Sequence, residues 1–289
     1  MSGDIRPSLE QFLLAPHSVV AEVAPHSMIF AAGGTRRAAA LAGIPLGEAV
    51  ARWSQPQMLN AFQLFFQLGV RHLFAPSVRP QMLREQGAYR DLWMKWLHWG
   101  LAGPESLERY RAAGWRVRLL IAGEPSSELA EIAAILEEHT QQASGPTLWY
   151  LATLDLDQEW AWQAAAFRSG ARTRADAVRL LFGEEVPPAD LVVSFGKPIV
   201  GPDLFPTLLV EEAQCYWMQR PGYALDERQI RRIFYDYAFM RPTWREDKTG
   251  RAEEALDHRL AWERGPTVGL GRRLGPFWYP VVDSNESLE

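Results

Sequence analysis

Short apolar runs alternate with helical patterns along most of the chain. The runs are rich in β-branched and aromatic residues, and they predict strands at residues 27–32, 70–75, 117–121, 148–153, 191–195 and 215–218. Between them, apolar residues recur at helical spacing, as in segments 58–66 and 129–136. Strands that are apolar on both faces and separated by helices are typical of a parallel sheet. The pattern therefore predicts an α/β fold with a mainly parallel central sheet flanked by helices.

Capping and turn residues predict where these elements begin and end. Ser126, Thr173 and Asp226 each precede a helical pattern and predict helix N-termini. Pro76 predicts the end of the second strand. Proline and glycine are scattered instead of gathered into a linker, and no repeat period occurs. The chain is therefore expected to form one domain over residues 1–289, with its core at about residues 20–280 and flexible termini.

The composition excludes several classes of protein. With 47% hydrophobic residues in 289, the chain can bury a large core, and its net charge of -5 argues against nucleic acid as a partner. The single cysteine, Cys215, excludes an intramolecular disulfide and suits a reducing compartment. Residues 1–14 lack a secretory pattern, and no apolar run approaches the roughly 20 residues needed to cross a bilayer. We expect a cytoplasmic protein without a transmembrane segment.

A glycine- and arginine-rich loop follows the first predicted strand. Its residues are Gly33, Gly34, Thr35, Arg36 and Arg37. Two glycines let the backbone approach a ligand closely, and a hydroxyl with two guanidinium groups suits phosphate oxygens. The loop is not a Walker loop, because the Gly-Lys-Ser/Thr ending is missing. These residues alone allow two interpretations of the loop. It is either an anion-binding cradle or a tight turn followed by solvated arginines.

The loop and several later segments resemble the cis-prenyltransferases. Gly33 to Arg37 is similar to the Asp-Gly-Asn-Arg-Arg motif of that family, and more similar to the Asp-Gly-Thr-Arg-Arg motif of its bacterial tuberculosinol (tuberculosinyl adenosine) synthase type. Matching segments follow in the same order, at residues 68–76, 189–197, 205–206, 216–217, 230–241, 268–269 and 277–278. The resemblance implies the α/β fold of the family, a prenyl diphosphate substrate and a homodimer, with the helix near Tyr235 at the dimer contact.

Departures from the family pattern separate the chain from enzymes that elongate polyprenyl chains. Gly33 stands where those enzymes carry a magnesium-binding aspartate, Ser194 stands where they carry an arginine of a late Arg-x-Ser cluster, and Gln214 replaces a glutamate. A tyrosine of the tuberculosinol synthase type falls on Val50. Since the arginine cluster binds isopentenyl diphosphate in the family, its loss favours the terpene synthase side. For Mg²⁺ three alternatives are open: binding through the diphosphate alone, binding by another carboxylate, or no metal.

Charged residues at the sheet edge are the candidates for catalysis. Arg36 and Arg37 would stabilise a diphosphate leaving group, and Lys197 follows a strand at the same edge. Asp155 and Asp236 are candidates for a base or a metal ligand. For Asp155 the alternative is a helix N-cap, and for Asp236 it is the polar face of an amphipathic helix.

Aromatic residues at helical spacing predict the lining of a prenyl-chain tunnel. Tyr89, Trp93 and Trp96 recur at i, i+4 and i+7, and they would face Phe62 and Phe66. An allylic cation needs a dry aromatic pocket, because each π face stabilises a cation by roughly 0.5–2 kcal/mol. Ordinary core packing is the alternative for the same stripe.

Two functions from different classes follow from the resemblance. In the first, the protein is a terpene synthase or short-chain prenyl transfer enzyme that ionises an allylic C10–C20 prenyl diphosphate. The reaction ends by cyclisation, deprotonation or capture by water or another small nucleophile. In the second, a non-catalytic or regulatory homologue binds prenyl diphosphate without turnover. An unrelated phosphate-binding enzyme on a similar sheet is the third alternative.

Overall fold

The computed structural model describes most of the chain. It covers residues 6–84, 88–204, 206–220, 222–244 and 246–281, and for residues 88–92 it describes the backbone alone. The flexible tail predicted beyond Val282 lies outside the described residues.

Six parallel strands form the central sheet. They are β1 (Ser27–Ala31), β2 (His72–Val78), β3 (Arg116–Ala122), β4 (Thr147–Thr153), β5 (Ala189–Phe195) and β6 (Val210–Met218). The strand order is β3-β4-β2-β1-β5-β6, and all neighbouring pairs are parallel. The predicted parallel α/β fold is thus confirmed. Because β1 and β2 lie at the centre, the loops that follow them meet in the middle of the carboxyl edge.

Helices cover both faces of the sheet. They are α1 (Leu9–Leu14), α2 (His17–Ala21), α3 (Thr35–Leu41), α4 (Glu48–Gln67), α5 (Pro80–Leu83), α6 (Ala88–Ala102), α7 (Pro104–Ala113), α8 (Ser127–Thr140), α9 (Leu156–Arg168), α10 (Arg174–Phe182), α11 (Glu227–Tyr235), α12 (Arg251–Asp257) and α13 (Arg259–Glu263). One face packs against α4, α6, α7, α8 and α11, and the other packs against α9 and α10. Within the described residues, none of the helices has the length and apolar character needed to cross a membrane.

The side chains of β4 show why its sequence is apolar throughout. Leu148, Tyr150 and Ala152 pack on the side of α4 and α6, whereas Trp149 and Leu151 pack on the side of α10. Each of these side chains is at most 5% exposed. A continuous apolar run results, because both faces of the strand are covered by helices.

The structure differs from the sequence predictions in three places. β2 continues through Pro76 to Val78, so the prediction that Pro76 ends the strand is wrong. The register with β4 shifts between these two residues, which accommodates a residue that has no N–H to donate. β6 begins at Val210, earlier than predicted. An antiparallel hairpin of β7 (Gly271–Leu274) and β8 (Phe277–Pro280) lies where the sequence pattern predicts no strand.

Cap geometry confirms the predicted helix starts. Ser126 Oγ accepts a hydrogen bond from the N–H of Leu129 at the start of α8. Thr173 and Asp226 each form a reciprocal capping box, at the starts of α10 and α11. These caps satisfy backbone N–H groups that would otherwise lack partners at the helix ends.

A buried carboxyl on α9 makes stability depend on pH. Glu159 is 1% exposed, and its Oε2 has no hydrogen-bond partner among the described residues. Burial, and then the charge of Asp203, raises the pKa of Glu159 from 4.5 to about 7. The native state therefore holds this proton more tightly than the unfolded chain does. The contribution of the protonated Glu159 carboxyl to the free energy of unfolding is fully present below about pH 4.5. This contribution is lost as the pH rises through about 7.

Glu159→Gln is expected to raise the free energy of unfolding by about 1–2 kcal/mol at pH 8 and to leave it unchanged at pH 4. The amide keeps the neutral state that the buried position favours. Urea unfolding at the two pH values measures the effect. Glu131→Gln, on the exposed face of α8, is the control. An equal change at both pH values would contradict the assignment to Glu159.

Candidate active site

A cavity of about 910 Å³ opens at the carboxyl edge of the sheet. Its walls come from the loop after β1, from α4, from the end of β2 and from α6. The volume lies in the upper range of pockets that hold small organic ligands. One end is rich in arginine, and the rest of the lining is mainly apolar and aromatic.

The glycine- and arginine-rich loop lies at the polar end of this cavity. Gly33, Gly34, Thr35, Arg36 and Arg37 all belong to the lining. α3 begins at Thr35, so both arginines lie in its first turn. The fold therefore presents the whole predicted cradle at one wall.

The Arg37 guanidinium group contacts two aromatic rings. Its guanidinium carbon lies 5.3 Å from the centre of the Phe195 ring and 4.8 Å from the centre of the Phe277 ring. Phe195 ends β5, and Phe277 begins β8. Contacts with the ring faces leave the N–H groups at the edge of the guanidinium plane to bind an anion.

Close packing explains the two glycines of the loop. Gly34 has a φ of +76°, and a Cβ there would lie 2.6 Å from Phe195 Cε1. A Cβ at Gly33 would lie 3.0 Å from Phe195 Cδ1. On another side of the loop, the N–H of Gly222 donates to the carbonyl of Gly33 at 2.9 Å. The Phe195 ring therefore packs beside Gly33, the position at which the cis-prenyltransferases carry their aspartate.

Gly34→Ala is expected to lower the free energy of unfolding by about 2–4 kcal/mol, because it adds both left-handed strain and a collision with Phe195. Gly43 offers a matched control, since its φ is +72° and nothing lies within 4 Å of a Cβ built there. Gly43→Ala should report the backbone strain alone, about 1–2 kcal/mol. Chemical unfolding of both variants measures the difference. Equal destabilisation would show that the contact with Phe195 contributes nothing.

A third arginine also lines the cavity. Arg79 follows β2, and its Nε lies 2.6 Å from Oδ2 of Asp203, a residue only 5% exposed. This charge-assisted hydrogen bond to a buried carboxylate restrains the guanidinium group. Arg79 is not among the site residues predicted from the sequence. Its position just beyond a strand, at the carboxyl edge of the sheet, is the signal that could have identified it.

Aromatic and aliphatic side chains line the rest of the cavity. The predicted lining residues Phe62, Trp93 and Trp96 are among them. The others include Phe30, Val50, Met58, Leu97, Trp99, Leu101, Tyr150 and Tyr223. Phe66 packs instead against Trp115, with ring centres 4.9 Å apart. The side chain of Tyr89 lies outside the described residues.

The structure places the remaining candidates away from the described lining of the cavity. Asp155 caps α9, where its Oδ1 accepts hydrogen bonds from the backbone N–H groups two and three residues on. Asp236 accepts hydrogen bonds from Tyr216 Oη at 2.5 Å and from Arg241 Nε at 2.7 Å. Lys197 is exposed. The helix-cap alternative therefore describes Asp155, and Asp236 belongs to a local polar cluster.

The described side chains of the cavity suit an anion. Arg36, Arg37 and Arg79 belong to the lining, whereas no described Asp, Glu, His or Cys side chain does. Across the described ranges, no group of three or more His, Cys, Asp or Glu residues is placed to hold a metal ion. The electrostatic character of the site thus comes from guanidinium groups.

The sequence is similar to those of two proteins named for their activities. It is 47% identical over 285 residues to (+)-kolavelool synthase from Herpetosiphon aurantiacus, covering 97% of this chain and 98% of that protein. It is 24% identical over 251 residues to tuberculosinyl adenosine transferase from Mycobacterium tuberculosis, covering 81% of this chain and 83% of that protein. No protein-family model matches the chain.

Two solved structures are similar in fold. Lavandulyl diphosphate synthase from Lavandula x intermedia, in complex with dimethylallyl diphosphate, has a TM-score of 0.62 at 14% identity, covering 75% of this chain and 97% of that one. A probable undecaprenyl diphosphate synthase from Campylobacter jejuni has a TM-score of 0.56 at 15% identity, covering 74% and 94%. At these identities the likeness establishes the fold.

Proposed function

The chain belongs to the cis-prenyltransferase superfamily, in the branch of terpene synthases that includes (+)-kolavelool synthase, and from this premise we propose that its cavity ionises an allylic C10–C20 prenyl diphosphate. The observation that carries the proposal is one cavity with arginines at one end and aromatic walls over the rest. A substrate with an anionic head and a long apolar tail matches both parts. The 47% identity to a synthase extends over 97% of this chain. This similarity favours an enzyme over a non-catalytic homologue.

Arg36, Arg37 and Arg79 would bind the diphosphate. Guanidinium groups donate paired hydrogen bonds to phosphate oxygens, and the Thr35 hydroxyl adds another donor. Negative charge on the leaving group grows as the C–O bond breaks. Fixed positive charges therefore stabilise the transition state more than the bound substrate, which is the requirement for catalysis.

Phe62, Trp93 and Trp96 would surround the hydrocarbon chain and the cation that ionisation produces. Each aromatic face stabilises a nearby cation by roughly 0.5–2 kcal/mol. An apolar wall also limits the water that reaches the cation before the reaction is complete. The reaction then ends by cyclisation, deprotonation or capture by water or another small nucleophile.

The described residues do not fit a magnesium site held by the protein. Mg²⁺ binds through carboxylate and other oxygen ligands, whereas the charged side chains of the described lining are arginines. Phe195 packs against Gly33, where the family pattern has its aspartate. We assign no step to the metal. Mg²⁺ that arrives with the substrate would contact the diphosphate oxygens.

Incubation of the full-length protein with geranyl, farnesyl and geranylgeranyl diphosphates, with and without Mg²⁺, tests the proposed function. We expect release of diphosphate together with a hydrophobic product detected by mass spectrometry from at least one chain length. Binding without release would favour the non-catalytic alternative. Neither binding nor release from any of the three would refute the proposal.

A homodimer is part of the same proposal, because the family resemblance implies it. α11 already packs against α1 of its own chain, where Tyr235 Oη donates to the Pro7 carbonyl at 3.0 Å. A second copy would therefore contact the face of α11 that α1 and the core leave exposed. Sedimentation equilibrium at several protein concentrations measures the mass of the assembly.

A further inference from the structure

Three segments of the chain form one surface at the mouth of the cavity. They are residues 35–47 after β1, residues 196–201 after β5, and residues 264–281 with the β7–β8 hairpin. The Arg37 guanidinium carbon lies 4.8 Å from the centre of the Phe277 ring, so the first segment contacts the third. A Cβ built at Gly269 would lie 3.6 Å from Pro198 Cγ, so the third segment also contacts the second. We call the three segments together the mouth surface.

The mouth surface exposes large apolar side chains. Aliphatic residues of all three segments are at least 45% exposed, among them Leu41, Leu46, Ile199, Val200, Val268 and Leu274. All four residues of β7 are exposed, so neither face of this strand is covered by the rest of the chain. A two-stranded hairpin without a covered face is only marginally stable in water. Contiguous exposed apolar area of this kind indicates a surface that meets a partner.

The mouth surface is also basic. Its three segments contain no aspartate or glutamate, and their basic residues are Arg36, Arg37, Lys197, Arg264, Arg272 and Arg273. The whole chain, by contrast, has a net charge of -5. Glu48, Asp203 and Glu263 lie just outside the segments, and each of them pairs with an arginine. Positive charge is therefore concentrated around the opening of the cavity.

The hairpin places aromatic rings beside its basic residues. The Trp278 indole packs over Gly271, and the Arg272 guanidinium carbon lies 5.8 Å from the centre of the Tyr279 ring. Tryptophan and tyrosine, together with arginine, are the residues that favour the boundary between lipid headgroups and acyl chains. The hairpin thus has the composition of an element that lies on a bilayer.

Charge distinguishes a lipid surface from a second copy of the chain as the partner. In a two-fold dimer the same patch of both subunits meets, so the basic residues of one mouth surface would face those of the other. Like charges across an interface are unfavourable. An anionic bilayer instead offers opposite charge to the basic residues and hydrocarbon to the aliphatic ones. A dimer through α11 would leave the mouth surface available.

α12 and α13 expose apolar side chains in a different electrostatic setting. Leu256, Leu260 and Trp262 are each more than 60% exposed. Acidic residues lie among them, at Glu253, Glu254, Asp257 and Glu263. An anionic bilayer would repel these carboxylates. The two helices therefore provide a matched apolar surface for control substitutions.

We propose that the mouth surface docks onto anionic lipid bilayers, with its aliphatic side chains in the headgroup region and its basic residues against lipid phosphates. Docking goes beyond the proposed function and does not depend on it. Leu46 and Phe277 belong both to the mouth surface and to the cavity lining. A prenyl diphosphate dissolved in the bilayer could therefore enter the cavity directly. This consequence alone rests on the proposed function.

Sedimentation of the full-length protein with vesicles tests the docking without any turnover. We expect binding to vesicles of phosphatidylcholine with phosphatidylglycerol, and binding at least about tenfold weaker to vesicles of phosphatidylcholine alone. High salt should weaken the binding to the anionic vesicles, because it screens the charges. Equal binding to both kinds of vesicle, or binding to neither, would overturn the proposal.

The charge contribution is measured with a pair of arginines on β7. Arg272→Gln with Arg273→Gln is expected to weaken binding to the anionic vesicles at least about tenfold. Arg228→Gln with Arg251→Gln removes the same charge from exposed positions on α11 and α12, so binding should stay within about twofold of the wild type. Equal losses in the two double variants would show that net charge, and not the mouth surface, decides binding.

The apolar contribution is measured with charge left unchanged. Ile199→Ser with Val268→Ser is expected to weaken binding to the anionic vesicles about tenfold. Leu256→Ser with Leu260→Ser, on α12 and α13, should change it little. All four side chains are more than half exposed, so both variants should fold. Equal losses in the two variants would overturn the assignment. Loss of self-association in the first variant, with vesicle binding intact, would identify a second copy as the partner instead.

Rates with a substrate held in vesicles test delivery to the cavity. Neither Ile199 nor Val268 belongs to the described lining of the cavity. Their double serine variant should release diphosphate more slowly from a prenyl diphosphate in anionic vesicles, and at the wild-type rate from the same substrate in neutral detergent. Equal slowing in both would overturn the role in delivery. Absence of release by the wild type would refute the proposed function, whereas vesicle binding would still decide the docking.

Discussion

Replacement of Arg37 by alanine is expected to reduce kcat/KM for the prenyl diphosphate by about 10²–10³-fold. The guanidinium contacts the rings of Phe195 and Phe277 at the polar end of the cavity. Its loss removes a preorganised positive charge from a leaving group that becomes more negative as the bond breaks. Arg37→Lys keeps the charge but loses the planar fork and the ring contacts, so it should recover only part of the rate. Initial rates of diphosphate release measure both variants.

Arg179 provides the matched control for Arg37. It lies on α10 and forms ion pairs with Asp176 and Glu185 at the surface. Surface pairs of this kind contribute about 0–1 kcal/mol, so Arg179→Ala should keep the wild-type rate and fold. A loss of less than about threefold in folded Arg37→Ala, or about 0.7 kcal/mol in the barrier, would contradict the assignment of Arg37 to the diphosphate.

Trp149→Ala is expected to lower the free energy of unfolding by about 3–5 kcal/mol. The indole is completely buried, stacked on Phe74 and packed edge-on against Phe182, with both ring centres 5.7 Å away. Its Nε1 donates to His72 Nδ1 at 3.3 Å. Burial lowers the pKa of His72 to about 4, so this acceptor is a neutral imidazole. Alanine leaves both a cavity and an unpaired acceptor.

Chemical denaturation of Trp149→Ala and of Trp262→Ala measures this contribution. Trp262, on α13, is 73% exposed, so its replacement should change stability by no more than about 0.5 kcal/mol. Trp149 faces α10, on the opposite side of the sheet from the cavity. Folded Trp149→Ala should therefore keep the wild-type rate of diphosphate release. A stability loss below about 1 kcal/mol would contradict the packing argument.

The fold and the polar end of the site follow from local sequence patterns. β1 and β4 are continuous apolar runs because helices cover both faces, and such runs are visible without any tertiary information. The residues from Gly33 to Arg37 are contiguous, so one loop presents all of them together. The paired glycines indicated a close approach, and the packing of Phe195 accounts for it.

Other parts of the site depend on packing between distant segments. Arg79 is restrained by Asp203, 124 positions later in the chain. Phe277 contacts Arg37 from the β7–β8 hairpin, and the sequence of this hairpin has no alternation of apolar and polar residues that would predict strands. Phe62 and Phe66 share one helical stripe in the sequence, yet only Phe62 lines the cavity, because the next turn of α4 packs against Trp115. The packing of neighbouring helices and strands therefore decides which aromatic residues of α4 line the cavity.

The packing of Phe195 on the Gly33–Gly34 loop also bears on how the chain folds. The loop follows β1 and Phe195 ends β5, and these adjacent strands pair residues as distant in sequence as Met28 and Leu191. Closing so long a loop is entropically costly and slow compared with forming a helix or joining β1 to β2. The wall proposed to bind diphosphate is therefore completed by the most non-local pairing of the sheet. A nascent chain can acquire much of its hydrophobic core before it can hold an anion.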